Sequence, residues 1–187
     1  EVERWALIYA SHQFGIEIPF FSKTKNQKCF RFFEDGHEFY TFLDGYAEKD
    51  DKAIIIEVKA TTSKKFAQLG PKIKSKINPL FECKNNIYHL KKDLTSNYQR
   101  FYEKLFDRYS DVGRYIYDIA VERYFIEKSI EKNQDFKRKK FRYYLAVLNS
   151  DYCFSGQYIN EQPDYSPDLE SNLIRFIDVT EITLEYL

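Results

Sequence analysis

The spacing of apolar and polar positions changes along the chain, and each change marks an element. From Val2 to Phe14, Trp5, Ile8 and Tyr9 recur at helical spacing and Gly15 follows, which predicts a first helix stopped by a glycine. Phe30 to Tyr46 is rich in aromatic residues and is broken by Glu34-Asp35-Gly36, a turn composition. That pattern predicts a hairpin leading into a strand that ends near Asp44, with a polar turn over Glu48 to Lys52. Ala53 to Ala60 is the clearest strand: Ile54, Ile55, Ile56 and Val58 are β-branched, and the run fits a central strand covered on both faces. Thr61 to Lys92 is Lys-rich and weakly patterned, which reads as an irregular insertion extending to about residue 111. Leu94 to Tyr109 and Arg114 to Ser129 predict helices. Lys139 to Asn149 predicts a late strand with Phe141, Tyr143, Leu145 and Val147 on one face. Pro163–Pro167 reads as a loop, and Asn172 to Leu187 mixes strand and helix signals. The order predicts an α/β (α+β) fold, a mixed central sheet flanked by helices.

Composition narrows this picture. At 187 residues, 43% hydrophobic and 18% aromatic, the chain suits one domain with a sizeable core, residues 1–187. The 29 basic and 29 acidic residues cancel, so no overall field draws the chain onto nucleic acid, and any such binding must use a local patch. Cys29, Cys83 and Cys153 form no CxxC pair, which argues against a cysteine-built zinc site; unpaired thiols without a secretion signal fit the cytoplasm. No apolar run approaches the ~20 residues of a membrane helix, so no membrane partner is expected. The chain holds no Met and begins at Glu1, which reads as a fragment or processed form.

Candidate chemistry lies on the clearest strand. Residues i and i+2 share a face, so Glu57 and Lys59 point together while Ile54, Ile56 and Val58 point the other way. A carboxylate and an ammonium side by side on a buried strand are costly unless paired or used. Asp44 lies upstream with Gly45 after it, where a turn could bring the chain back antiparallel and place Asp44 beside Glu57. Two neighbouring carboxylates make a hard-oxygen site suited to Mg²⁺ or Mn²⁺, with Asp44, Glu57 and the Val58 carbonyl as candidate metal ligands. Lys59 could then orient a water or stabilise charge on a phosphate. The competing reading is a plain salt bridge between Glu57 and Lys59 on a solvent-facing strand. Basic runs follow at Lys64-Lys65, at Lys72, Lys74 and Lys76, and at Lys137-Arg138-Lys139-Lys140. Such runs usually mark solvated loops, but near a strand end they can neutralise phosphates. Lys64 and Lys65, with Tyr124 as a stacking ring, are the candidate nucleic-acid contacts.

Together Asp44, Glu57 and Lys59 resemble the Asp…Glu-x-Lys signature of the PD-(D/E)XK nuclease superfamily. The first helix, with Trp5-Ala6 and Ala10…Phe14-Gly15, is similar to the N-terminal helix of its RecB-like branch. Tyr117 to Tyr124, Tyr144 to Tyr152 and Phe176 to Thr180 resemble, in order, later segments of an uncharacterised bacterial domain family near the CRISPR-associated exonucleases. The resemblance implies a restriction-endonuclease-like fold and metal-dependent cleavage of DNA; the alternative is a degenerate member that binds nucleic acid or protein without cutting. It further implies that His12, on the first helix, could ligate the metal. The family usually carries Gln where this chain has Glu122, so Glu122, with Asp118 one helical turn before it, is a possible additional ligand or supporting group. Alternatively, Arg114 and Arg123 neutralise both carboxylates at the surface. Some relatives hold an iron–sulfur cluster on four cysteines, and the three scattered cysteines here argue against one.

Overall fold

The computed structural model describes residues 1–154, 156–166 and 172–187. Helix α1 (Val2–Phe14) ends where the sequence places its stop: Gly15 takes the left-handed conformation, φ 62°, and its N–H bonds the Ser11 carbonyl. β1 (Lys28–Glu34) and β2 (His37–Leu43) form the expected hairpin, turned by Asp35 and Gly36 at φ 49° and 80°. β3 (Gly45–Lys49) and β4 (Lys52–Thr62) form a second hairpin. Its turn lies at Asp50, φ 55°, and not at Gly45. Gly45 opens β3 for a steric reason: a Cβ there would lie 2.5 Å from Leu7 Cδ2 and 2.9 Å from Ile56 Cβ.

The Lys-rich segment is more ordered than its patterning suggests. It holds α2 (Lys64–Ala67), a two-residue ribbon of β5 (Lys72–Ile73) and β6 (Lys76–Ile77), and the hairpin β7 (Phe81–Lys84) and β8 (Ile87–Leu90). Asn85 and Asn86, both at positive φ, supply a turn that the charged flanks disguise. The helix expected over Leu94 to Tyr109 shrinks to a 3₁₀ turn and α3 (Gln99–Glu103). Ser110 Oγ donates to the Lys104 carbonyl at 2.6 Å, and Gly113 packs against the Lys104 and Asp107 carbonyls, so the chain folds back there. α4 (Gly113–Ile130), the short α5 (Gln134–Lys137) and β9 (Lys140–Leu148) follow. β10 (Tyr158–Ile159) and β11 (Gln162–Pro163) pair just ahead of the loop predicted over Pro163–Pro167, whose end at Pro167 lies outside the described residues. β12 (Ile174–Asp178) and α6 (Thr180–Glu185) resolve the mixed signal near the C-terminus into one strand and one helix.

Six strands form one mixed sheet in the order β3-β4-β9-β12-β8-β7. β4 runs parallel to β9, and β9 is antiparallel to β12. The sheet is covered on both faces, which is why β4 carries an apolar run without alternation. Ile56 packs with Ala6, Leu7 and Ala10 of α1, whereas Ile55 packs with Ile116 and Ile119 of α4 and Tyr143 of β9. α4 is pinned by Arg123, 9% exposed, whose Nη1 donates to the Thr180 carbonyl at 2.6 Å and to Thr183 Oγ1 at 3.1 Å. Its Nε pairs with Glu127 at 2.7 Å, and its guanidinium lies over the Tyr143 ring. These bonds fix the rotation of α4, and therefore which of its side chains meet β4. Among the described residues no helix is long and apolar enough to cross a membrane.

The seating of α1 on β3 gives a direct test. Gly45→Ala should destabilise the fold by about 1–3 kcal/mol, the cost of overpacking, read as a lower urea midpoint at unchanged slope. A midpoint equal to that of the wild type would show that Leu7 does not close on Gly45.

Candidate active site

Glu57 and Lys59 stand together on the α4-facing side of β4, about 6.6 Å apart at 3.3 Å rise per residue, and Thr61 follows where a bulge shifts the register of β4 against β9. Glu122 and Asp118 stand one helical turn apart on α4, about 6 Å at 1.5 Å per residue. Because these spacings match and the elements run in opposite senses, Glu57 meets Glu122 and Lys59 meets Asp118 as rungs, and at the bulge beyond them Thr61 forms a third rung with Tyr115. Lys59 Nζ lies 2.8 Å from Glu57 Oε1 and 2.6 Å from Asp118 Oδ2.

The first rung is the unusual one. The Glu57 and Glu122 carboxyl groups are within hydrogen-bonding reach of each other, yet ionised carboxylates offer only acceptors. Glu122 Oε2 is buried and has no donor among the described residues. Burial foremost, then the Glu57 charge, pushes the Glu122 carboxyl well above the usual range. Burial and then Asp44 also raise Glu57, against the lowering effect of Lys59. A proton or a cation is what such a pair requires. Lys59 shows the opposite balance: burial alone would weaken its charge, but Glu57 and Asp118 outweigh burial and hold it firmly protonated.

Asp44 arrives at the edge of β4, where Oδ2 accepts the Val58 N–H at 2.9 Å. This bond satisfies the free edge of β4 just beyond the end of its pairing with β3 at Gly45 and Ile56. The N–H and C=O of a strand residue leave on the same edge, so the Val58 carbonyl shares that side. Glu3 joins the group unannounced. It accepts from Gln27 Nε2 at 3.1 Å, and its carboxyl is raised by burial and by Asp44. A signal exists in the sequence: Glu3 stands three and four residues before Ala6 and Leu7, on the apolar stripe of α1.

His12 is not brought to this group. It is exposed on the last turn of α1, nine residues beyond Glu3, about 13 Å along the axis. Tyr124 lies about 200° around α4 from Glu122 at 100° per residue, against Phe32, Phe125 and Lys128. Lys64 is exposed on α2, while Lys65 reaches the third rung, 5.4 Å over the Tyr115 ring. Surface neutralisation by Arg114 and Arg123 is not what α4 does: Asp118 goes to Lys59, Arg123 to Glu127 and α6, and Arg114 to Tyr115. Of the later basic run, Lys139 pairs with Glu48 and Lys140 with Asp51; the Lys137 side chain lies outside the described part.

Among the described residues no three His, Cys, Asp or Glu side chains are already grouped as a cation cage. Glu57 is engaged by Lys59 and Asp44 by Val58. A hard divalent ion needs fewer protein ligands than a full cage: Mg²⁺ is commonly held by one or two carboxylates, with water and substrate completing its shell. The orphaned Glu122 oxygen beside Glu57, with Asp44 adjoining, fits that requirement. Comparison with family models, curated proteins and solved structures finds no match.

The raised Glu122 carboxyl predicts how stability follows pH. The unfolded chain releases this proton near 4.5, while the folded, cation-free protein keeps it. Its contribution is therefore full below that pH and is lost as pH rises through the raised folded value. Glu122→Gln, which cannot ionise, should flatten that decline and raise the Tm of chelator-treated protein at neutral pH. An identical pH profile for variant and wild type would mean that Glu122 is not held protonated.

Proposed function

We propose that this chain is a divalent-cation-dependent nuclease of the PD-(D/E)XK kind that hydrolyses phosphodiester bonds in DNA. The observation that carries the reading is the buried Glu57–Glu122 pair, which leaves Glu122 Oε2 without a donor one rung from a permanently charged lysine. Glu57 and Glu122 would hold Mg²⁺ or Mn²⁺, with Asp44 and the Val58 carbonyl adjoining as further oxygen donors. When bound, such an ion neutralises charge growing on a phosphate oxygen and acidifies water.

The chain's own residues supply the rest. Lys59 is held protonated, so it acts as a fixed positive donor to a phosphoryl oxygen or to the attacking water and does not take up a proton itself. Asp118 holds the ammonium from the helix side at 2.6 Å, so the donor would keep its place if Glu57 were drawn to a cation. Ile55, Ile116 and Ile119, in the core between β4 and α4, are fully buried and keep this region of low dielectric, where charges interact more strongly. A second reading rests on the same ion pairs: Lys59 already neutralised by Glu57 and Asp118 also suits a non-cutting binder of the same fold.

Cleavage of single- and double-stranded DNA with Mn²⁺ separates the two. Lys59→Ala should lower the rate about 10²–10³-fold, the usual cost of removing one donor to a developing oxyanion. Asp44→Ala should fall with it, both variants keeping the far-ultraviolet circular dichroism of the wild type. Equal rates in all three proteins would overturn the assignment. DNA binding without cleavage by the wild type would leave the binder.

A further inference from the structure

The third rung differs in chemistry from the first two. Where the first sets acid against acid and the second base against acid, the third sets the Thr61 hydroxyl against the Tyr115 phenol between two cations. Arg114 Nη2 donates to the Tyr115 hydroxyl at 2.7 Å, with the guanidinium 4.6 Å from the ring centroid. Lys65 Nζ stands 5.4 Å from the same centroid. Among the described residues neither Lys65 nor Arg114 has a carboxylate partner, and the nearest acid along α4, Asp118, is taken by Lys59. Two unneutralised cations and two hydroxyls therefore converge at the bulge of β4 just beyond Lys59. The row as a whole runs from carboxylates at Glu57 to a surplus of positive donors at Thr61.

We propose that Thr61, Lys65, Arg114 and Tyr115 form an anion subsite for the phosphate neighbouring the one at Lys59, so that the preferred substrate is a polynucleotide and not an isolated diester. The proposal rests on reading the Glu57–Lys59–Glu122 row as the hydrolytic centre. A tetrahedral phosphate accepts several bonds at once, and the planar guanidinium, the ammonium and two hydroxyls offer that many donors. The stacking of Arg114 and Lys65 on the ring also holds both cations at the mouth of the row. Consistent with this field, hydrogen bonds with Thr61, Arg114 and Lys65 outweigh burial, which acts to raise the phenol, and hold Tyr115 below the usual phenol range. The neutral total charge makes this surplus local, which favours a positioned phosphate over a general coat of counter-charge.

Two measurements test the subsite separately from the centre. The first is anisotropy of a labelled single-stranded oligodeoxynucleotide with chelator present, for wild type, Tyr115→Phe and the double variant Lys65→Ala/Arg114→Ala. The double variant should bind about tenfold more weakly, and its salt slope should fall by about 0.7 for each phosphate it no longer neutralises. Tyr115→Phe, which keeps the ring, should weaken binding less, and all three should melt alike. The second is the ratio of oligonucleotide to bis(para-nitrophenyl) phosphate turnover with Mn²⁺, which should drop at least tenfold in the double variant. Unchanged affinity and slope, or an unchanged ratio because turnover of both substrates falls equally, would overturn the subsite. If the wild type cuts neither substrate while oligonucleotide binding still depends on Lys65 and Arg114, the hydrolytic reading fails and the phosphate subsite stands.

Discussion

Two carboxyl groups meet between β4 and α4, Glu57 from the strand and Glu122 from the helix, and neither can satisfy the other without a positive charge or a proton between them. Removing such groups from water is among the more expensive acts in folding, so the surrounding structure has to hold them together. Arg123 does so from the helix side by anchoring α4 to Thr180, Thr183 and Tyr143. On the strand side the apolar residues Ile54, Ile55, Ile56 and Val58 bury β4 on both faces and fix its register against β9. Asp44, tied to the Val58 N–H, sets the strand edge next to the pair.

From that pair outward the row is graded. Asp44, with Glu3 near it, adds negative potential at the edge of β4 beside the pair; Lys59 and Asp118 balance in the middle; Lys65 and Arg114 leave a positive excess beyond them. A polyanion bound along this gradient would place one phosphate over the cationic end and another where a hard cation suits the carboxylates. A chain with no net charge needs such a local arrangement to use phosphate chemistry at all.

Much of this is legible in the residues, and where the pattern misleads there is a physical cause. The helix over Val2 to Phe14, β4 and β9 follow their apolar pattern because each packs that pattern into the core, while the largely exposed first hairpin is marked by its turn, Asp35-Gly36. The alternation along β4 also places Glu57 and Lys59 on one face. β7 and β8 leave no such trace, because short strands carrying Glu82, Lys84 and His89 have too few apolar positions to show a period. Leu94 to Tyr109 has helical aromatic spacing, yet the Ser110 side-chain bond and the close approach of Gly113 turn the chain there. Asp118 and Glu122 are visible as a helical pair, but no local pattern reveals their partners across space. On α1 the more familiar ligand type, His12, lies away from the site, while the apolar stripe points to Glu3.

Whether the Glu57–Glu122 pair is a cation site that holds a proton when empty is decided by calorimetric titration with Mn²⁺ near neutral pH in buffers of different ionisation enthalpy. Binding should release about one proton per ion, the proton held at Glu122, and in Glu122→Gln binding should be weak and without that release. Absence of Mn²⁺ binding, or the same affinity and proton count in wild type and Glu122→Gln, would contradict that assignment.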